Sequence, residues 1–374
     1  MSDVWDVVII GAGIVGSACA LECATRGMRT AVIEGKGIGS GATAAGMGHI
    51  VVMDDSPAQM ALTRYSQKLW QDLSEHLPAN VEYDPCGTLW VASDEEEMQE
   101  VRRKSALYAS SGISTITLDS HMLAEAEPHL RQPLAGALLV PSDAVLYPPC
   151  AAAYLLAEAL RLKAQLYSRR ALSAKAGKVR LDDGTELHAQ RIVNVGGTEA
   201  GELLPGLPIR KRKGHLVITD RYPGFVRHQL VELGYLKSAH SLTSDSVAFN
   251  VQPRRTGQVL IGSSRQYNAE HPEVDTQILT SMIDRARWFL PEIGALSAIR
   301  IWTGFRAATP DKLPLIGPWP EDESLYLATG HEGLGITTSL GTASILADHL
   351  QGIATKIPIE PYLPARFEKS VAHA

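Results

Sequence analysis

Six residues near the start of the chain, Gly11-Ala12-Gly13-Ile14-Val15-Gly16, carry the spacing GxGxxG. That spacing suits phosphate binding. Gly11 permits a tight turn, Gly13 lets a pyrophosphate approach the backbone, and Gly16 lets a helix pack closely on a strand. The helix that follows would present open amides and the positive end of its dipole to the phosphates. Glu34, with Gly35 after it, lies 18 residues beyond Gly16. A carboxylate at that place accepts from ribose hydroxyls and repels a 2′-phosphate, which disfavours NADP. These residues predict a bound dinucleotide and leave FAD and NAD both open.

Three further segments bear on that choice. Gly39-Ser40-Gly41-Ala42-Thr43 follows the acid at once, with side chains small enough to let a cofactor pass. Asn194-Val195-Gly196-Gly197 ends a later apolar run with glycines, as a second approach of backbone to nucleotide needs. Gly330-His331-Glu332-Gly333-Leu334-Gly335-Ile336 is a third such loop and leads into a helical pattern. Amides at that helix start can stabilise negative charge on a reduced flavin at N1 and C2=O. A nicotinamide has no comparable need, so the loop favours a flavin.

The elements that must position these loops are readable in outline. Val4–Ile10 and Thr30–Glu34 are apolar runs of the kind buried in parallel sheets, with a helix from Ile14 to Arg26 between them that stops at Gly27. Pro57–Leu77, Asp94–Ser110, Pro149–Lys163, Thr276–Leu290 and Thr337–Leu350 have helical spacing. Strands are expected at Gly87–Ser93, near Leu166, in a hairpin about Asp182-Asp183-Gly184, at Arg191–Val195 and at Ser324–Thr329. From His215 to Ser263 strand follows strand, including Ser246–Gln252 and Gln258–Gly262. Nucleotide-type elements thus occur at both ends and in the middle, with sheet-rich material between. This order predicts two interleaved domains.

Composition narrows the class. The 374 residues are 45% apolar and 20% charged, which fits a globular protein and excludes global disorder. A formal charge of -6 argues against a nucleic-acid binder, and the run Arg210-Lys211-Arg212-Lys213 is read as at most a small basic patch. Cys19, Cys23, Cys86 and Cys150 form no CxxC pair, so no metal or cluster is expected, and Cys19 and Cys23 read as packed thiols. No basic region followed by an apolar one opens the sequence, and no run of eighteen apolar residues occurs. The expectation is a cytoplasmic protein with no signal peptide and no membrane span.

Taken together, GAGIVG at 11–16, Glu34, GSGATAAGM at 39–47, VNVGG at 193–197, QPRRTGQVLIGSS at 252–264, GFRAATPDKLPLIG at 304–317 and GHEGLGITTSLGTASILADHL at 330–350 resemble the D-amino-acid oxidase family of FAD-dependent oxidoreductases. The resemblance spans nearly the whole chain and is closest to the D-hydroxyproline and opine dehydrogenase flavoproteins. It implies an α/β (α+β) fold in which a split Rossmann-like FAD-binding domain (1–80, 145–210, 305–374) is interleaved with an antiparallel-sheet substrate domain (81–144, 211–304). Carried over by position, Ile14 and Val15 flank the pyrophosphate, Glu34 takes the adenosine ribose, and Ser40 and Gly41 flank the phosphates. Ala45, Gly46 and Met47 pass near the isoalloxazine. Ala171 or Leu172 contacts adenine through backbone, and His331 to Thr337 wrap the pyrimidine edge. Arg306 matches the arginine that forks onto a substrate carboxylate, a task suited to a permanently charged planar guanidinium. Gly333 and Asn250 stand where glycine oxidase has an arginine and a tyrosine, which weakens an assignment to that enzyme. No cysteine is placed as in the sarcosine oxidases that attach flavin covalently, so non-covalent FAD is expected.

The implied reaction moves a hydride from Cα of a small D- or secondary amino acid to flavin N5 and leaves an imine; D-hydroxyproline is the favoured substrate. Orientation does most of the work, because a neutral amine needs no strong base to assist it. His49, directly after the flavin loop, either faces the substrate, tunes the flavin or bonds to backbone. Tyr235 and Asn250 lie on strands expected to wall the pocket and can bond a ring hydroxyl. His215 is a further pocket candidate, and His331 is read as an anchor for its loop. The electron acceptor is a quinone, a carrier or a partner subunit. An oxidase that makes hydrogen peroxide, and a flavin subunit of a larger complex, are the alternatives, and homo- and hetero-oligomers are both open.

Overall fold

The structure, a computed structural model, describes residues 4–234 and 245–367. The first sheet runs Leu315–Trp319, Asp322–Thr329, Glu186–Asn194, Trp5–Ile10, Thr30–Ile33, Gln165–Tyr167. Its pairs are parallel except the first, which is antiparallel. Strands buried on both faces have no need to alternate in polarity, and the run Val7-Val8-Ile9 is fully buried. Val7, Ile9 and Val32 point to one face, against helices Ile14–Thr25, Pro148–Arg161 and Gly335–Leu350. Val8, Ile10 and Ala31 point to the other, against the meander Ala171–Lys175, Lys178–Leu181 and the start of Glu186–Asn194.

The hairpin arm and the expected strand Arg191–Val195 prove to be one strand, Glu186–Asn194. It pairs antiparallel with Lys178–Leu181 at its start and parallel with Trp5–Ile10 farther on. The polar residues His188, Gln190 and Arg191 mask this continuity in the sequence.

The second sheet runs Ala298–Ala308, Arg210–Arg221, Gln258–Arg265, Ser246–Pro253, Gln229–Glu232, Thr88–Ala92, Gly136–Val140, Ile116–Asp119. It is mixed: Gln229–Glu232 and Thr88–Ala92 are parallel, the other pairs antiparallel. One face packs on helix Thr276–Phe289, where Phe249 and Phe289 stack 4.3 Å apart. The other face carries Trp90, Val231 and Asn250 side by side and turns toward the first sheet.

The basic run is corrected by this sheet. Arg210 and Lys211 are exposed, but Arg212 and Lys213 are buried inside strand Arg210–Arg221, so no four-residue patch exists. Cys19 and Cys23 are packed in the helix core. Among the described residues no helix is long and apolar enough to cross a membrane.

Candidate active site

A cavity of about 420 Å³ lies between the two sheets. Its floor begins at the glycine turn. Gly11 has φ +115°, and a Cβ on Gly16 would sit 2.0 Å from the Gly11 carbonyl oxygen, so helix and strand meet only because both are glycine. Helix Ile14–Thr25 has no side-chain cap at its start. Instead the Ile14 amide donates to Thr43 Oγ1 (3.0 Å), which ties the helix to the loop after the second strand. The Glu34 carboxylate is fixed by amides of Ala12 (2.8 Å), Lys36 (2.7 Å) and Gly37 (3.1 Å). A carboxylate has about four acceptor positions, so one remains for a hydroxyl.

The structure gathers most of the residues singled out from the sequence. Gly11, Gly13 to Gly16, Glu34, Gly35, Ser40, Gly41, Ala45 to Met47, His49, Ala171, Gly196, Asn250, Arg306 and His331 to Ile336 all line the cavity. Four others do not. Leu172 is 48% exposed, because it follows Ala171 on a strand and points the other way, which leaves Ala171 as the lining residue of the pair. Thr337 is buried behind the cavity; its hydroxyl donates to the His49 carbonyl (2.8 Å) and accepts from the Val51 amide (3.3 Å). His215 is buried and occupied, with Nδ1 on Ser264 Oγ (3.0 Å) and Nε2 accepting from the Asp275 amide (3.0 Å). It braces a loop and does not line the cavity. Tyr235 lies outside the described residues.

Arg306 lines the cavity from strand Ala298–Ala308 of the second sheet, whereas Glu34 follows a strand of the first. Its Nη1 donates to the Ser264 carbonyl (3.0 Å), and the guanidinium lies over Gly214, where a Cβ would be 2.6 Å from Nη1. Glu332 takes a left-handed φ of +50° and turns its carboxylate onto Arg212. Arg212 also donates to the Tyr267 hydroxyl (2.5 Å). The two side chains of this ion pair are 4% and 11% exposed, so it clamps the third glycine loop to the second sheet. Burial first, then the positive charge of Arg306, pushes the His49 imidazole down to about 4, which keeps it neutral at physiological pH. His331 is pushed down to about 3 by burial and shares a hydrogen bond with Thr342 Oγ1 (3.0 Å), in the anchoring position expected of it.

The family model for FAD-dependent oxidoreductases matches residues 6–349. This chain belongs to that family. It is similar to the hydrogen cyanide synthase subunit HcnC of Pseudomonas aeruginosa, with 26% identity over 100% of this chain and 98% of the other. It is also similar to the glycine oxidase of Geobacillus kaustophilus, whose crystal structure superposes with a TM-score of 0.85 at 26% identity, covering 97% of this chain and 98% of that one. The crystal structure of L-proline dehydrogenase from P. horikoshii shares the fold, with a TM-score of 0.87 at 24% identity over 99% of both chains.

The cofactor of this flavoenzyme is FAD, and its residues fit one. The turn at Gly11 and Gly16 has no room for a side chain. The uncapped helix start has amides that would meet a pyrophosphate, and Glu34 has one acceptor position left that would suit a ribose hydroxyl. Gly46 lets the loop close on helix Gly335–Leu350 and Gly304 lets it close on the second sheet, since a Cβ on the first would meet Ile336 at 2.7 Å and on the second Ala45 at 2.3 Å. None of the four cysteines lines the cavity. Sequence reasoning missed Arg212, Gly214, Trp90 and Gln229. Only Arg212 left a signal, as part of a basic run that leads into the apolar residues Leu216-Val217-Ile218.

Proposed function

We propose that the flavoenzyme oxidises the Cα–N bond of a small D- or secondary amino acid to an imine, with D-hydroxyproline as the favoured substrate and a quinone, carrier or partner subunit as electron acceptor. FAD, when bound without covalent attachment, supplies the two-electron acceptor for the hydride. The observation that carries the reading is the guanidinium of Arg306, held over Gly214 by the Ser264 carbonyl and facing a neutral histidine. A carboxylate placed on that guanidinium is fixed by paired charge-assisted bonds. His49, being neutral, adds no second charge to compete for it. The positive guanidinium nearby favours the unprotonated amine, so orientation by Arg306 and the cavity walls does the work a strong base would otherwise do. The Glu332–Arg212 clamp holds the glycine loop against the second sheet.

A second reading, an oxidase of glycine or a D-amino acid that passes electrons to oxygen, is favoured by the glycine oxidase relative. The HcnC relative is a subunit by name, which favours electron transfer to another chain. Arg306→Lys and Arg306→Ala test the common core of both readings. FAD content should stay that of the wild type while kcat/KM falls by roughly 2–5 kcal/mol, the cost of leaving a buried carboxylate without its partner. Normal kcat/KM in Arg306→Ala would refute the assignment.

A further inference from the structure

The cavity has a second pole. Trp90, Val231 and Asn250 are cross-strand neighbours on its wall, and Gly262 stands next to Asn250. A Cβ on Gly262 would be 2.9 Å from Met47 Sδ, so this row abuts the flavin loop directly. Gln229 lies two residues before Val231 on the same strand, hence on the same face. Trp90 Nε1, Gln229 Oε1 and Asn250 Oδ1 are all buried, and none has a hydrogen-bond partner among the described residues. Turning either amide over exchanges its oxygen for an N–H at the same place and leaves the same unmet need.

Buried polar atoms without partners cost free energy, so three in one wall point to a ligand that satisfies them. The wall itself is uncharged. Lys104 lies 4.5 Å from the Trp90 ring, but it is fully buried, paired with Asp54 and absent from the cavity lining. Its contact with both Trp90 and Tyr108, whose hydroxyl bonds the Val52 carbonyl (3.0 Å), holds the indole in one orientation. A glycine or an unsubstituted proline, with its carboxylate on Arg306, has only its amine N–H to offer, which cannot serve the indole N–H while its lone pair drives hydride loss. A second carboxylate would find no cation among them. A hydroxyl both accepts from an indole N–H and donates to an amide oxygen.

We infer that Trp90, Gln229 and Asn250 form a neutral recognition strip that reads a hydroxyl on the substrate, and that they set the enzyme's preference for hydroxylated over plain amino acids. This rests on the amino-acid reading above and adds to it the residues that choose among amino acids. Arg306 selects the class through the carboxylate; the strip selects the member.

The test is a pair of ratios measured on the holoenzyme with an artificial electron acceptor: kcat/KM for cis-4-hydroxy-D-proline over D-proline, and for D-serine over D-alanine. At least one ratio should exceed about tenfold in the wild type, since a site built to bond a hydroxyl discriminates against its absence. Trp90→Phe, which keeps an aromatic ring but loses the N–H with part of the indole, should lower that ratio about fivefold or more, as should Asn250→Ala. Ratios near one in the wild type, with the flavin reduced by all four, would overturn the strip and leave the amino-acid reading intact. Variants that slow both members of a pair in proportion would likewise overturn it, by showing that the strip only supports the fold. No reduction of the flavin by any of the four amino acids would sink both readings, and is told apart from the first result by the unchanged yellow colour. The wild-type ratio needs no variant to fold.

Discussion

Gly214→Ala shifts Arg306 without removing it, and the structure sets the size of the shift. The new Cβ would stand 2.6 Å from Nη1, 2.9 Å from Nη2 and 3.0 Å from Cζ, where ordinary contact begins at 3.4 Å. The guanidinium must therefore retreat by about 0.8 Å, and its bond to the Ser264 carbonyl, now 3.0 Å, is strained or lost. Because the obstructed group is the end of a flexible side chain, the backbone need not move and the fold should survive. A displacement near 1 Å of a group that orients substrate costs on the order of a hundredfold in rate. The expected outcome is normal FAD content, a melting temperature within a few degrees of wild type, and a fall of roughly ten- to a hundredfold in kcat/KM for whichever amino acid reduces the flavin. Rapid-mixing reduction of the flavin under anaerobic conditions measures the effect on the reductive half-reaction alone. Unchanged reduction kinetics would refute the placement of the substrate carboxylate on Arg306. Loss of flavin with normal kinetics in the fraction that keeps it would show that Gly214 serves the cofactor instead.

Two other outcomes follow from buried charge. Glu332→Gln leaves Arg212 buried without its carboxylate and should destabilise the protein by about 3–5 kcal/mol, whereas the double change Glu332→Gln with Arg212→Met should recover much of that loss; chemical unfolding of the holoenzyme measures both. The histidines give a pH dependence of definite sign. Folded His331 and His49 titrate at about 3 and about 4, against 6.5 unfolded, so between pH 6.5 and 4 the unfolded chain takes protons that the folded one refuses. Stability should fall with acid across that window, and His331→Gln should make the fall shallower when melting temperature is followed against pH. Asp143 acts oppositely: burial raises it to about 7 from 3.8, so it costs stability as pH rises through that range, and Asp143→Asn should remove that part of the slope.

The cofactor half of the site was legible in the sequence because it is local. A turn, a helix start and an acid at the end of the next strand are set by neighbours in the chain, and Gly11, Gly16 and Glu34 stand where their spacing put them. Arg306 was legible only through resemblance. The substrate wall was not, apart from Asn250. Trp90, Gln229 and Asn250 come from three strands far apart in sequence, and nothing short of the pairing register shows that they share a face. Arg212 was read with its basic neighbours as a small patch because four consecutive charges are usually solvated; the interior place of its strand in the sheet and the reach of Glu332 bury it. Leu172 failed for the simplest reason, that adjacent residues on a strand face opposite ways. His215, read as a pocket candidate, is spent on a loop amide and a serine.

The most direct measurement is anaerobic bleaching of the bound flavin. The purified holoenzyme would be mixed in turn with cis-4-hydroxy-D-proline, D-proline, sarcosine, glycine and D-alanine, and then exposed to air. The expected result is fast bleaching by a D-proline and slow recovery in air. Bleaching by glycine or sarcosine with rapid recovery and peroxide would replace the dehydrogenase with an oxidase, and a flavin that stays yellow with every amino acid would contradict amino-acid oxidation itself.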